Sequence, residues 1–502
     1  MAFVSLDRMT APAVRGGFLR VTSQGVIWLP LGSRLVDRLR GRLSGTPQGR
    51  ILAGPDSSSS PILDLLRAEP RSHRDLAVVF YAEWSPRSSG ARSLKDTETL
   101  GVLEWGAAAV DVDQAQAALA EVERRLTGEL GRCGLDLQHA DGLGRDTQWA
   151  QLTDGGPSLF LWCSACGYLA ERDAARFGLA QPPIANVEAL REVHTPGAST
   201  IKILCDQVGV APSATLKALF LTADGETLLA LMRGDLEASL EKVRHEIGAK
   251  EVRPAAPEEI SRLGVAAGYA GPVGLKVRPE RRGQGVWVVA DRSIVASANL
   301  VTGANRDGFH LLGVNYPRDF AVTETFDFAR APRGAPCAAC GGTLAERKGL
   351  VIARRRTFEQ GFAYVRGEDG LQQGAMISIQ VSLGAVTAGV ITAARQETGF
   401  MFPAVCSPFH VHLIELAGGP DLTAALEEMD GLGLEVLVDD RDLSAGVKFA
   451  ESEWIGAPVQ VVAGRKSFEG GGVEMRTPNR EKRIIRIADL IPCVLAVTGE
   501  VM

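Results

Sequence analysis

Two cysteine pairs offer the most definite chemistry in this chain of 502 residues: Cys163-Ser164-Ala165-Cys166 and Cys337-Ala338-Ala339-Cys340. A Cys-x-x-Cys turn can present two thiolates to one ion, and four thiolates complete a tetrahedral structural zinc site. The alternative is two separate reduced pairs, and spacing alone leaves open whether the pairs meet. Other reactive types are dispersed. Lys217 lies in the apolar run Leu216-Lys217-Ala218-Leu219, and His310 precedes Leu311-Leu312-Gly313. A buried-edge lysine suits a phosphate or a developing oxyanion. Gly303-Ala304-Asn305 can bring backbone N–H groups close to a ligand, or can simply be a turn. No Ser-His-Asp or Cys-His set is evident, so nucleophilic catalysis of that kind has no candidate. No Gly-x-x-x-x-Gly-Lys-Ser/Thr phosphate loop is present either. His410 and His412 fall two apart on one strand face and read as a solvent-facing pair. Cys133, Cys205, Cys406 and Cys493 read as ordinary buried thiols.

The elements that must hold these residues follow from periodicity. Leu35, Val36 and Leu39 mark a basic amphipathic helix, and residues 112–132 a surface helix with Ala117, Leu119, Val122 and Leu126 on its apolar side. Residues 76–81 suit a buried strand. Residues 200–208 suit a helix capped by Ser199, and residues 215–222, 226–232 and 286–290 suit strands. Leu236, Leu240, Val243 and Ile247 form one apolar helix face. From residue 410 onward, strands over 410–416, 434–438 and 458–463 alternate with helices over 422–429 and 447–455, the pattern of a small α/β domain with parallel pairing.

Composition bounds the whole. Lys plus Arg number 54 against 60 Asp plus Glu, a net charge of −6, and hydrophobic residues make up 45%. That fraction excludes a mainly disordered chain, and the length suits about three domains. The mild acidity excludes a chain that is cationic throughout, while leaving room for a local basic groove. The longest apolar runs, residues 76–82 and 384–394, are far short of the roughly 18–20 residues that span a bilayer. The first residues, with Asp7 and Arg8, lack the apolar core of a signal peptide. The expectation is a cytoplasmic protein with no membrane partner and, with eight cysteines in so long a chain, no disulfide scaffold.

Several spaced motifs resemble the bacterial-type prolyl-tRNA synthetases and the YbaK-type deacylases that share their inserted editing domain. They are His194-Thr195-Pro196, Thr215-Leu216-Lys217-Ala218-Leu219, Met232-Arg233-Gly234-Asp235, Gly271-Pro272-Val273, Asp291-Arg292, Gly303-Ala304-Asn305 and Phe309-His310-Leu311-Leu312-Gly313. Leu437-Val438-Asp439-Asp440-Arg441, Ala445-Gly446-Val447-Lys448-Phe449-Ala450 and Trp454-Ile455-Gly456-Ala457-Pro458 resemble the anticodon-binding domain of class II synthetases. Gly17-Phe18-Leu19-Arg20 and Trp28-Leu29-Pro30-Leu31-Gly32 resemble the start of the catalytic domain.

The resemblance implies an α/β and α+β multidomain fold. A class II antiparallel-sheet core would occupy residues 1–160 and 331–404, a YbaK-like α/β editing domain 187–330, and an α/β anticodon-binding domain 405–502. It implies that Lys217, His310, Gly303 and Asn305 serve the editing reaction, with Thr195, Gly271, Pro272 and Asp291 at the substrate. In the last domain Arg441, Lys448, Arg465 and Lys466 are candidates for RNA contact. Because the editing domain is an insertion, Cys163, Cys166, Cys337 and Cys340 at its two ends would meet on one zinc. Partners would be tRNA(Pro) and mischarged aminoacyl-tRNA, with a homodimer formed through residues 45–54.

The activation motifs depart from the family. Where a Gly-Pro-Thr-x-Glu loop holds the amine of proline, Gly54-Pro55 is followed by Asp56 and serines 57–60. Where an arginine holds the α-phosphate, residues 84–100 offer Arg87 or Arg92. The Gly-x-Gly-x-x-Arg signature reads Ser378-Ile379-Gln380-Val381-Ser382-Leu383. Removing one phosphate-directed group costs on the order of 10²–10³ in rate. The expectation is therefore an editing deacylase for alanyl-tRNA(Pro) with impaired or absent activation. Its alternatives are an active proline–tRNA ligase, which alone would need ATP and Mg²⁺, and a non-catalytic tRNA-binding regulator.

Overall fold

The computed structural model describes residues 9–22, 25–44, 50–52, 61–68, 71–84, 100–179, 186–261, 268–281, 284–366, 370–477 and 481–499. The chain divides into two compact units, one drawn from residues 1–139, 146–158 and 348–502, the other from 140–145 and 159–347.

The first unit is built on a sheet whose strands lie in the order Arg50–Leu52, Val78–Trp84, Val102–Ala109, Leu371–Ser382, Leu344–Val365, Thr147–Leu152. The first pair is parallel and the remaining neighbours are antiparallel. In the last of these pairs Leu152 lies opposite Gly349, and Thr153 N–H donates to Lys348 O at 2.9 Å. Leu103, Trp105 and Ala107 alternate onto one sheet face and share a core with the helices Pro30–Leu43, Val112–Arg132 and Leu383–Ala393. The 112–132 helix begins where the spacing places it, because Asp111 Oδ1 accepts Gln114 N–H at 2.8 Å. Ala115, Leu119, Leu126 and Leu130 are its buried stripe.

The same unit ends in a five-stranded sheet ordered Val436–Asp439, Val411–Glu415, Val459–Ala463, Val473–Arg476, Lys482–Ile485. Its first two pairings are parallel, as strand–helix alternation requires, and its last two antiparallel. The two histidines expected to face solvent, one just before and one within the strand Val411–Glu415, do not do so. His410 is 2% exposed and His412 fully buried. His412 belongs to the strand Val411–Glu415, flanked by a parallel neighbour on each side, and His410 immediately precedes it, with its ring 2.7 Å from Arg38 Nη1 and accepting Glu435 N–H at 2.9 Å.

The second unit holds a five-stranded sheet ordered Val252–Pro254, Leu216–Ala223, Glu226–Arg233, Trp287–Asp291, Glu324–Phe326. Beside it lies a three-stranded sheet of Arg191–His194, Phe309–Val314 and Leu300–Gly303. The helix Leu240–Ile247 buries Val243 and Ile247 against Leu228, Ala230 and Met232. The helix Ile201–Val208 is capped by Thr200, not Ser199. Thr200 is the residue with extended backbone, and its hydroxyl accepts Ile203 N–H at 3.4 Å.

Candidate functional site

A cavity of about 140 Å³ opens in the second unit, and it gathers residues that are remote in sequence: Thr200, Lys217, Phe220, Gly268, Ala270, Gly303 and His310. Lys217 sits near the start of the Leu216–Ala223 strand, opposite Met232. Its ammonium donates to Leu236 O. Partial burial lowers its pKa from the ordinary lysine value, while Glu237 and Asp235 act in the opposite sense. His310 lies on the Phe309–Val314 strand, 3% exposed, and burial lowers its pKa, so the ring is neutral at pH 7. Thr195 Oγ1 is 2.6 Å from His310 Nδ1, and the Tyr269 ring centroid is 5.3 Å from that of His310. One cation and one neutral ring thus face a small, half-polar cavity.

Glycines shape its wall. Gly303 ends its strand so close to the next loop that an added Cβ would lie 2.1 Å from Tyr269 O; one on Gly271 would lie 2.1 Å from Gly303 O. Asn305 holds this contact. Its Oδ1 accepts Gly271 N–H at 2.9 Å, and its Nδ2 donates to Gly271 O at 2.9 Å and Val273 O at 3.0 Å.

The structure therefore brings Lys217, Gly303 and His310 together and separates the others. Asn305 and Gly271 fix the loop, Thr195 reaches the cavity through His310, and Pro272 is absent from the lining. Asp291 is a correction to the expected substrate contact: it is 1% exposed, and its Oδ1 caps the helix Arg292–Val295 through Ser293 N–H. Its Oδ2 accepts Phe328 and Ala329 N–H at 2.8 and 2.9 Å. Sequence reasoning missed Thr200 and Tyr269; the glycine-flanked position of Tyr269 was the available signal.

The four cysteine sulfurs lie within 4.8 Å of one another, with Cys163 and Cys340 at 3.5 Å and Cys166 and Cys337 at 3.8 Å. A disulfide needs about 2.05 Å. A tetrahedron of about 2.3 Å Zn–S bonds has edges of about 3.8 Å. The donor set fits a thiophilic ion.

In the first unit, Leu383 is fully buried at the start of its helix. Ser378 and Gln380 direct their side chains to Glu104, which is itself fully buried. Its carboxylate accepts Ser378 Oγ at 2.5 Å, Gln380 Nε2 at 3.0 Å and Trp84 Nε1 at 2.9 Å. Gly54, Pro55, Asp56, the serines 57–60, Arg87 and Arg92 lie outside the described residues, and of 45–54 only the strand Arg50–Leu52 lies within them.

The aminoacyl-tRNA editing domain family matches residues 195–319, and the anticodon binding domain family matches residues 421–496. A Proline--tRNA ligase of Salinispora tropica is 35% identical over 444 residues, covering 82% of this chain and 72% of that protein. The chain belongs to the prolyl-tRNA synthetase family. A Proline--tRNA ligase of Citrifermentans bemidjiense is 30% identical, covering 88% of this chain and 80% of its own length. That of Moorella thermoacetica is 28% identical, at 93% and 91%.

Within this prolyl-tRNA synthetase-family chain, the cavity lies inside the editing match and the four expected RNA-contact residues inside the anticodon-binding match. Lys448 is a second correction. It is 2% exposed, and its ammonium is spent on Glu415 O at 2.7 Å and Asp439 O at 3.0 Å. Arg441 stays at the surface but is paired with Asp439 at 2.8 Å and Glu451 at 2.5 Å. No helix of the described residues is long and apolar enough to cross a membrane.

Proposed function

We propose that this chain hydrolyses the ester of mischarged aminoacyl-tRNA, with alanyl-tRNA(Pro) as substrate. One contrast carries the reading. The Lys217–Gly303–His310 cavity is whole, whereas position 383, where the family resemblance expects a phosphate-clamping arginine, holds a fully buried leucine. Water attacks the ester carbonyl, the oxyanion forms, and the ribose oxygen leaves with a proton. In this scheme Lys217 holds the anionic 3′ end of the tRNA, and Gly303 contributes backbone polarity where the oxyanion develops. Neutral His310, held by Thr195, is a wall of the amino-acid pocket and not a base. The terminal ribose hydroxyl positions the water, which accounts for a site without a protein nucleophile. A small cavity accepts alanine and excludes the larger proline ring, the logic of a double sieve.

An active proline–tRNA ligase is the second reading, favoured by the names of the relatives and the length over which they match. Only that reading requires ATP and Mg²⁺. Purified protein is assayed for Ala-tRNA(Pro) deacylation and for proline-dependent ATP–pyrophosphate exchange. Deacylation that falls on the order of 10²-fold in Lys217→Ala, without exchange, supports the first reading. Exchange establishes the second, and tRNA binding without either reaction indicates a regulator. We further propose that Cys163, Cys166, Cys337 and Cys340 hold one structural zinc ion. A homodimer in the cytoplasm is our proposal for the assembly, tested by gel filtration.

A further inference from the structure

We infer that metal at the four cysteines controls the order of the editing cavity, with Lys242 as the positioning residue that connects them; this rests on the zinc proposal above. The two cysteine pairs are built alike. Each is followed by a glycine with positive φ, 77° at Gly167 and 75° at Gly341. Each glycine donates its N–H to the carbonyl of the first cysteine of its pair, at 2.9 Å in both cases. Cys163 Sγ also accepts the N–H groups of Cys166 and Ala165, an arrangement that favours thiolate. A Cβ on Gly342 would sit 3.1 Å from Cys163 Sγ and 3.4 Å from Cys340 Sγ, so the chain closes over the sulfurs there. Two turns of one shape face one point, and soft thiolates alone select a zinc-class ion over magnesium or calcium.

The segments that carry these turns are joined beyond the cysteines. Phe177 bridges Cys337, Gly178 N–H donates to Pro336 O at 2.8 Å, and Arg330 pairs with Asp173 at 2.7 Å. Both segments then converge on Lys242. Its ammonium donates to Ala175 O at 2.9 Å, Ala329 O at 2.7 Å and Asp327 Oδ2 at 3.3 Å. Lys242 is 4% exposed, and nothing in the hydrolysis scheme uses it. It belongs to the helix Leu240–Ile247, which packs on Met232, the residue opposite Lys217 in the sheet. The metal end of the unit and the strand of the cavity lysine are therefore linked through one buried cation.

The test uses the full chain. Metal is counted by elemental analysis, and amide hydrogen exchange is followed with zinc and after chelation. One zinc per chain is expected. Chelation should speed exchange of 216–223 by about tenfold or more, leaving 102–109 unchanged. In Lys242→Met, zinc should stay bound while exchange of 216–223 no longer responds to its removal. Lys242→Arg, which keeps the charge, should retain part of the response and serves if the methionine variant does not fold. Absence of metal overturns the zinc proposal and this inference together. Bound zinc whose removal leaves 216–223 unchanged overturns the coupling alone. Neither readout depends on deacylation, so failure of that activity is a separate result.

Discussion

A single added methyl group should disable the cavity if close backbone packing sets its shape. In Gly303→Ala the new Cβ would lie 2.1 Å from Tyr269 O, 2.2 Å from Tyr269 C and 2.7 Å from Ala270 N. Ordinary contact needs about 3.5 Å, so the 269–270 backbone must retreat by more than about 1 Å. No flexible side chain can absorb this, because every close atom is backbone. Retreat breaks the Asn305 N–H to Tyr269 O bond of 2.9 Å, moves Ala270 in the cavity wall and unseats Tyr269 from His310. A 1 Å misplacement costs about 10²-fold in rate, and overpacking about 1–3 kcal/mol in stability. Deacylation of Ala-tRNA(Pro) and urea unfolding are measured side by side. Gly128→Ala is the control: it lies on the Val112–Arg132 helix with nothing within 4 Å of its Cβ, and should keep full activity. Deacylation by Gly303→Ala within about threefold of the parent protein would refute the argument that this contact sets the cavity.

Deacylation should show no acid limb at the ordinary histidine value of 6.5, since burial lowers the His310 pKa; a limb at that value would contradict this. On the alkaline side, activity should fall below the ordinary lysine value of 10.5, because burial lowers the Lys217 pKa. The C-terminal sheet should weaken in acid. His412, fully buried, has its pKa pushed down to about 4, chiefly by burial. The unfolded chain therefore takes up the proton first, and the stabilisation present above pH 6.5 is lost as pH falls towards 4. For His412 alone this amounts to about 2 kcal/mol between pH 7 and 5, read from urea midpoints; His412→Leu should remove that share and leave the like share of His410, whose pKa burial also pushes down to about 4. Glu104→Gln should cost about 1–3 kcal/mol in the same assay, because the carboxamide N–H₂ meets donors where the carboxylate had acceptors to offer.

Local rules carried some positions well and others not at all. The helix from 112 to 132 was legible because an apolar stripe that includes Leu119 and Leu126 runs along it, and parallel pairing near the C-terminus followed from strand–helix alternation. The cysteine turns were legible because each needs only four residues and a glycine. Burial decided by distant chain was not legible. The alternation that put His410 and His412 on one face carried no sign that this face is covered. Lys448 and Asp291 are charged residues in motif segments, and only the fold shows them satisfied by carbonyl or N–H groups of other segments. Asn305 matched its motif, yet its amide is committed to the 271–273 loop.

The pairing of Leu152 with Gly349 has a consequence for how such a chain can be assembled. Strand Thr147–Leu152 and the stretch of Leu344–Val365 from Gly349 onward are antiparallel neighbours, and the bond from Thr153 to Lys348 adds one further step to their ladder. In the first unit, the chain leaves and re-enters as the two arms of a hairpin. A tight turn or a long insertion can join these arms without altering the rungs from Leu152–Gly349 to Thr147–Arg355, and lengthening the connection costs only about 0.6 kcal/mol for each doubling. Excision of residues 159–347 with a short turn in their place should therefore keep these rungs, although it also removes Leu169–Glu171 and the 159–163 and 344–347 segments of the same sheet. The hairpin tip is a port at which a foreign module can be exchanged wholesale, provided its own ends arrive side by side.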